Sequence, residues 1–332
     1  MNLNILNEIL KNEPSYRSKQ IKRVLFVDLI ESWDEATTLP KNLQDKLKTE
    51  FPISISKELS ISKDNQTAKV LIKFDDGEKI ESVIIRHNDG RNTICLSSQA
   101  GCPLACEFCA TGKLGFKRDL TSSEIIIQFL FFARLFKKSE EKITNIVFMG
   151  MGEPFLNYDN VLEAIRIIND KDGLNIGARK ISISTVGIIE GIEKLAEEKL
   201  QVNLAISLHA SNDDLRSKIM PINKKYPLDK IFSVVDDYIR KTGRRVMFEY
   251  IMINGVNDSI DDALALAELM RKKLYFVNLI SYNPTGIFKP SSGMRIKTFK
   301  EILTSNGVNV TQRYKFGDNI DAACGQLAGK NK

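Results

Sequence analysis

The chain lacks several features that would have placed it quickly. Within its 332 residues no apolar run reaches the length needed to cross a bilayer as a helix, about 20 residues, and no membrane partner is expected. The opening residues, Met1-Asn2-Leu3-Asn4-Ile5-Leu6-Asn7-Glu8, lack the basic-then-apolar order of a secretion signal. Cysteine is scarce and odd in number, five in all, which argues against a disulfide framework in a chain of this size. No second Cys-x2-Cys pair exists to complete a four-cysteine zinc site. These absences point to a reducing cytoplasm, where a thiolate-bound metal centre survives.

What cysteine there is, is concentrated. Gly101-Cys102-Pro103-Leu104-Ala105-Cys106-Glu107-Phe108-Cys109-Ala110-Thr111-Gly112 holds three of the five, spaced Cys-x3-Cys-x2-Cys. Thiolates this close in sequence can converge on one centre without help from distant chain, and an iron–sulfur cluster is the first reading. A four-iron cluster needs four ligands and only three are offered locally. The fourth is either a remote cysteine or a position left open to a small molecule. Three buried structural cysteines are the plainer alternative.

At 43% hydrophobic the chain can bury a sizeable core. Its charge of +6 is unevenly placed: Arg271 to Lys332 carries eleven Lys and Arg against three Asp and Glu. A basic C-terminal fifth suits a polyanion such as RNA, although a solvated lysine surface has the same composition.

Residues 1–66 read as short helices with apolar positions such as Ile5, Leu6, Ile9 and Leu10, then Ile21, Val24, Leu25 and Ile30, a small accessory domain. Residues 67–92 hold two period-two strands, Ala68 to Phe74 and Ile80 to Arg86, around the turn Asp75-Asp76-Gly77, a hairpin extension. A strand from Thr93 to Ser97 leads into the cysteine stretch and opens the core region, 93–318, where strands alternate with helices. Thr121-Ser122-Ser123-Glu124 reads as a capping box for the first of these helices. Counting the strand before the cysteines gives six strand–helix units: an α/β protein with a parallel sheet, as a partial (β/α)6 barrel rather than a closed eightfold one. Residues 319–332 form a C-terminal tail. The residues of chemical interest fall at strand ends: the cysteine loop, Gly150-Met151-Gly152-Glu153, Ser184-Thr185, Ser207-Leu208-His209 and Asn283-Pro284.

A Cys-x3-Cys-x2-Cys loop opening a partial parallel barrel resembles the radical S-adenosylmethionine (SAM) superfamily, in which three cysteines hold a [4Fe-4S] cluster and SAM chelates the fourth iron. Six stretches narrow the likeness: Gly101 to Phe116 (G-C-P-L-A-C-E-F-C-A-T-G-K-L-G-F), Phe148 to Asn157 (F-M-G-M-G-E-P-F-L-N), Ile183 to Gly187 (I-S-T-V-G), Ser207 to Ala210 (S-L-H-A), Leu215 to Asn223 (L-R-S-K-I-M-P-I-N) and Asp321 to Leu327 (D-A-A-C-G-Q-L). Together they resemble the 23S rRNA adenine-C2 methyltransferases, many of which also methylate an adenine of tRNA next to the anticodon. The resemblance covers almost the whole chain.

That resemblance implies Cys102, Cys106 and Cys109 as cluster ligands, with Phe108 shielding the cofactor. It implies SAM contacts at Gly152, Glu153, Ser184, Ser207, Leu208, His209 and Asn283. Carbon 2 of adenine is not nucleophilic, so direct transfer of a methyl cation from SAM is not viable. The implied route uses two SAM per turnover. Cys324 first takes a methyl group from one. Cleavage of the second yields a radical that removes hydrogen from the S-methyl group, and the resulting methylene radical adds to carbon 2. Loss of the C2 proton to Glu81 and attack by Cys95 on the sulfur of Cys324 release the product and leave a Cys95–Cys324 disulfide for an external reductant. Read without the resemblance, Cys95 and Cys324 are small packing residues and Glu81 is a solvent-facing charge on an alternating strand. The spacing from Glu81 to Cys95 is one residue longer than in some relatives, placed at Asn88-Asp89-Gly90.

The expected partners are 23S rRNA, at the peptidyl transferase centre, tRNA, an electron donor and a disulfide reductant, with the protein a monomer. Methylation of carbon 8 of the same adenine is the nearest rival and uses the same cysteines; Pro154 and Gly115-Phe116-Lys117-Arg118 resemble the C2 branch more closely. A non-catalytic iron–sulfur RNA-binding protein or redox sensor, or an activase for a partner enzyme, are the more distant readings.

Overall fold

The computed structural model describes residues 3–313 and 317–329. Residues 314–316 of the expected barrel region and 330–332 of the expected tail lie outside these. The strands in chain order are β1 (Ser56–Ile61), β2 (Thr67–Lys73), β3 (Lys79–Arg86), β4 (Asn92–Cys95), β5 (Gln99–Gly101), β6 (Phe116–Asp119), β7 (Asn145–Phe148), β8 (Ile181–Thr185), β9 (Asn203–Ser207), β10 (Val246–Met252), β11 (Tyr275–Ser281) and β12 (Val310–Gln312). The helices are α1 (Leu3–Leu10), α2 (Ser15–Phe26), α3 (Lys41–Glu50), α4 (Ala110–Lys113), α5 (Ser122–Lys137), α6 (Tyr158–Asn169), α7 (Ile189–Glu197), α8 (Asp213–Ile219), α9 (Leu228–Thr242), α10 (Ile260–Leu269) and α11 (Gly293–Ser305).

One ten-stranded sheet runs in the order β1-β2-β3-β4-β7-β8-β9-β10-β11-β12. From β4 onward every neighbour is parallel. Spatial order follows chain order without reversal, which is barrel winding; a doubly wound sheet would turn back on itself. Helices bridge the parallel strands because a parallel neighbour cannot be reached by a tight turn. The expected α/β partial barrel is therefore present, and β12 adds a seventh parallel strand to the six counted as units.

Local chemistry explains the elements. Strands such as β10 (V-M-F-E-Y-I-M) and β11 (Y-F-V-N-L-I-S) are nearly continuous apolar runs buried along their length, as covered parallel strands must be. Helix α5 begins at the expected capping box, with Thr121 accepting from the Glu124 N–H and Glu124 reaching back to the Thr121 N–H. Helix α9 ends on Gly243 at φ +67°, the left-handed conformation that glycine adopts without steric cost.

The N-terminal helices bury a core of their own, from Leu6 to Ile53, with Trp33 at its centre donating Nε1–H to the Phe51 carbonyl at 2.8 Å. Two features were not expected. The segment before residue 66 ends in β1, which pairs antiparallel with β2, so the expected boundary at 66 divides a bonded hairpin. A two-stranded sheet, β5 with β6, brackets the cysteine loop. Its alternation is too short to read from sequence. At Gly101, φ is +74°, and a Cβ there would stand 1.9 Å from the Gly115 carbonyl oxygen, so only glycine lets the two strands close beside Cys102.

Candidate active site

The carboxyl ends of the parallel strands open onto a cleft with about 820 Å³ of space free of protein atoms, its mouth included. It is lined by Cys102, Cys106 and Cys109, by Gly152 and Glu153 after β7, by Ser184 and Ser207 at the tips of β8 and β9, by His209, and by Cys324 of the C-terminal segment. Nine positions singled out from sequence are thus brought to one place.

The three clustered thiols sense one another: Cys102 and Cys106 are each raised by the neighbouring Cys109, after the larger effect of burial. Burial pushes Cys102 up to about 12 and Cys106 well above the ordinary thiol value. Metal binding here must release protons. Among the described residues no three His, Cys, Asp or Glu side chains meet at one point as ligands of a single ion would. A cluster places one thiolate on each of three irons and needs no such convergence.

Glu153 is 3% exposed, and burial pushes its carboxyl up to about 7. Its Oε1 accepts from the Phe155 N–H at 3.0 Å and its Oε2 from the Val186 N–H at 2.9 Å, tying the β7 loop to the end of β8. Gly152 has φ +95°, and a Cβ there would meet the Gln99 side chain at 2.5 Å. The glycine is thus required by packing against β5 as well as by any approach of a ligand. His209, itself at φ +59°, accepts at Nδ1 from the Ile251 N–H at 3.1 Å, and its ring meets Phe108 edge-on at 4.9 Å. Burial, then the Arg216 charge, hold it down to about 3. It is a neutral donor through Nε2–H with no acid–base role near neutrality.

Leu208 and Asn283 lie just off the cleft wall. Leu208 is fully buried; its N–H donates to the Glu249 carbonyl and its own carbonyl accepts from Arg216 Nε. Asn283 donates Nδ2–H to the Cys324 carbonyl at 3.1 Å, while its buried Oδ1 has no partner among the described residues.

Cys95 and Cys324 are both free thiols. In β4, Cys95 pairs with Val83, two residues from Glu81, so antiparallel pairing turns Cys95, Val83 and Glu81 to the same face. Cys324 is exposed, but the surface it faces is the cleft, whose walls exclude enough water that burial pushes the thiol up to about 11. Burial pushes Cys95 to about 12, and it titrates second, against the charge of Cys324. The Arg313 guanidinium opposes both shifts. It is held by Glu249 at 3.1 Å, and the second oxygen of Glu249 is buried on the cleft wall without a partner among the described residues.

The solvent-facing reading of Glu81 is corrected: it is 2% exposed and paired with Lys69 at 2.7 Å. The C-terminal segment returns over this face of β3 and covers it, which alternation within the strand cannot reveal. Asn88-Asp89-Gly90 fall in the β3–β4 turn, where Gly90 sits at φ +83°.

Sequence reasoning also passed over four polar residues. Arg216 is fully buried and spans five acceptors: the carbonyls of Val186, Ser207, Leu208 and Tyr226, and Asn223 Oδ1. It lies in L-R-S-K-I-M-P-I-N beside other polar and charged residues, and nothing local sets it apart. Arg313 and Lys69 carried no signal either; Glu249, the lone charge in the apolar run V-M-F-E-Y-I-M, was the one legible signal.

Residues 96–267 match the model of the radical SAM superfamily. The chain is 47% identical to the "Probable dual-specificity RNA methyltransferase RlmN" of Dictyoglomus turgidum, over 99% of this chain and 97% of that protein. The protein of the same description from Thermotoga maritima is 48% identical over 94% of this chain and 91% of its own. The crystal structure of a radical SAM methyltransferase from Sphaerobacter thermophilus superposes with a TM-score of 0.95 at 42% identity, covering 99% of this chain and 98% of that one.

Proposed function

Because the chain belongs to the radical SAM superfamily, and within it to the RlmN-type RNA methyltransferases, we propose that it methylates carbon 2 of an adenine in 23S rRNA and of an adenine in tRNA, in the cytoplasm, with Cys324 carrying the methyl group and Cys95 resolving the intermediate. The observation that carries this reading is the pair of thiols beyond the cluster set. The Cys95 thiol is raised by burial and by the charge of Cys324, Arg313 opposes the shift of both, and Cys324 opens onto the same cleft as the three clustered cysteines.

The cleft fits a [4Fe-4S] cluster with SAM. Three soft thiols share it, while the nearby Glu153 and His209 are already engaged by backbone N–H groups and offer no competing ligand. Cys102, Cys106 and Cys109 would hold the cluster, and Ser184, Ser207 and the unpartnered Asn283 and Glu249 oxygens would take polar groups of the cofactor. When bound, the pair supplies one-electron cleavage of the sulfonium and so a means of removing a hydrogen atom. Two SAM per turnover are proposed, one of them as methyl donor.

The chain's own residues do the rest. Cys324 as thiolate would attack the methyl carbon of the sulfonium donor, forming a thioether as the donor's own S–CH3 bond breaks and its uncharged sulfide leaves; Arg313 favours the thiolate this needs. Glu81 takes the C2 proton once adenine is joined to the Cys324 carbon. The Cys95 thiolate then attacks the Cys324 sulfur, forming the S–S bond as the S–C bond breaks; the electron pair stays with the carbon, which takes up a proton to become the methyl group of methyladenine, and a thiol reductant restores both cysteines. The adenine must leave its stack to reach the cleft.

RNA from cells with and without this protein tests the reading by nucleoside mass spectrometry. 2-Methyladenosine present only with the protein is the expected result, and 8-methyladenosine alone overturns it. For Cys95→Ala, the expected product is protein covalently joined to RNA, seen as a shifted band that nuclease digestion removes. Free methylated RNA at wild-type yield from that variant would refute the resolving role.

A further inference from the structure

The segment carrying Cys324 is held at both ends by one buried ion pair. Lys69 on β2 and Glu81 on β3 meet at 2.7 Å with side chains 9% and 2% exposed. Lys69 Nζ also donates to the Asp321 carbonyl at 3.3 Å. The free oxygen of Glu81, Oε2, accepts from the N–H groups of Ala328 at 2.7 Å and Gly329 at 3.2 Å. The middle of the segment rests elsewhere. The Ala110 N–H donates to the Gly325 carbonyl at 2.7 Å and Thr111 Oγ1 to the Leu327 carbonyl at 2.6 Å, both from the cysteine loop.

A buried ion pair loses more solvation than its own attraction returns unless its remaining donors and acceptors are used. Here they are used by the backbone of Asp321, Ala328 and Gly329, so pair and segment each depend on the other.

We propose that the Lys69–Glu81 pair is a latch that seats the Cys324 segment at the cleft, which makes Lys69 a positioning residue for the methyl carrier. The proposal rests on the reading of Cys324 as that carrier. It also orders the work of Glu81. The carboxylate holds the segment while charged; on accepting the C2 proton it becomes a neutral acid, loses its attraction for Lys69 and is a weaker acceptor for Ala328 and Gly329. Proton removal from the RNA and loosening of the segment's two ends are then one event, while the middle keeps its own hydrogen bonds.

Hydrogen exchange measured by mass spectrometry on the full-length, cluster-loaded protein tests the latch. In Lys69→Met and Glu81→Gln the peptide spanning 321–329 is expected to exchange about tenfold faster or more, the loss of a charge-assisted hydrogen bond, with the barrel strands unchanged. Lys69→Arg, which keeps the charge and the donors, is expected to restore protection. Lys69→Met is further expected to lower kcat at saturating RNA without changing RNA affinity, because the carrier is misplaced and the RNA surface is not. Unchanged exchange of 321–329 in Glu81→Gln, which keeps the side-chain shape, overturns the latch, as does equal loss of protection in Lys69→Arg and Lys69→Met. Exchange requires no turnover, so the latch and the methyltransferase reading fail by different results: loss of the latter shows as wild-type protein without methyladenosine product.

Discussion

Cys324→Ala is expected to retain full iron content and the visible absorption of a [4Fe-4S] cluster while RNA methylation is abolished. The point needs a test because Cys324 feels Cys109 and opens onto the cleft beside it, which makes it the candidate for a fourth protein ligand that the spacing of the other three leaves room for. The expectation that it is no ligand rests on its separate anchorage. Its carbonyl is fixed by Asn283, and its segment is tied at both ends to β2 and β3. Arg313 stands near the thiol, where it favours displacement chemistry. A variant that loses iron, or whose cluster signal collapses on purification while Cys95→Ala keeps it, shows Cys324 bound to the cluster. The cleft would then have no open coordination site, and the proposed chemistry could not operate there.

Arg216→Met is expected to destabilise the fold by about 3 kcal/mol or more, since each buried acceptor left without a donor costs roughly 1–3 kcal/mol, read as a lower denaturation midpoint in equilibrium unfolding. The guanidinium holds the carbonyls of Val186, Ser207 and Leu208 at the ends of β8 and β9, besides Tyr226 and Asn223. Methionine fills much of the volume and satisfies none of the five acceptors. Burial lowers the Arg216 pKa to about 10, partly offset by Cys106 and Asp213, so the group remains charged near neutrality. Arg216→Lys is expected to recover little, because a single ammonium cannot span acceptors spread around a planar fork. A loss under 1 kcal/mol in Arg216→Met would mean that the strand ends hold their positions unaided.

Local pattern carried a large share of this protein. The cysteine spacing is legible because three ligands within eight residues need no tertiary help to approach one another. The strand–helix alternation is legible because a covered parallel strand must be apolar throughout and must be followed by a crossover. The winding of the sheet follows from that rhythm, and with it the gathering of Gly152, Glu153, Ser184, Ser207 and His209 at one rim. The strands β5 and β6 escaped because each is short, and β1 because it is exposed along its whole length, so burial imposes no alternation on it.

The sequence by itself determined the cysteine cluster, the sheet and the rim. Only tertiary structure decided which charges serve the site. Glu81 meets Ala328 across 247 positions and Lys69 meets Asp321 across 252. A contact of that span is set by strand pairing at one end of the chain and by the return of the other end over it. No periodicity within β2 or β3 encodes it, because the same alternating strand exposes its charges when nothing lies above and buries them when a backbone with unpaired N–H and C=O groups does.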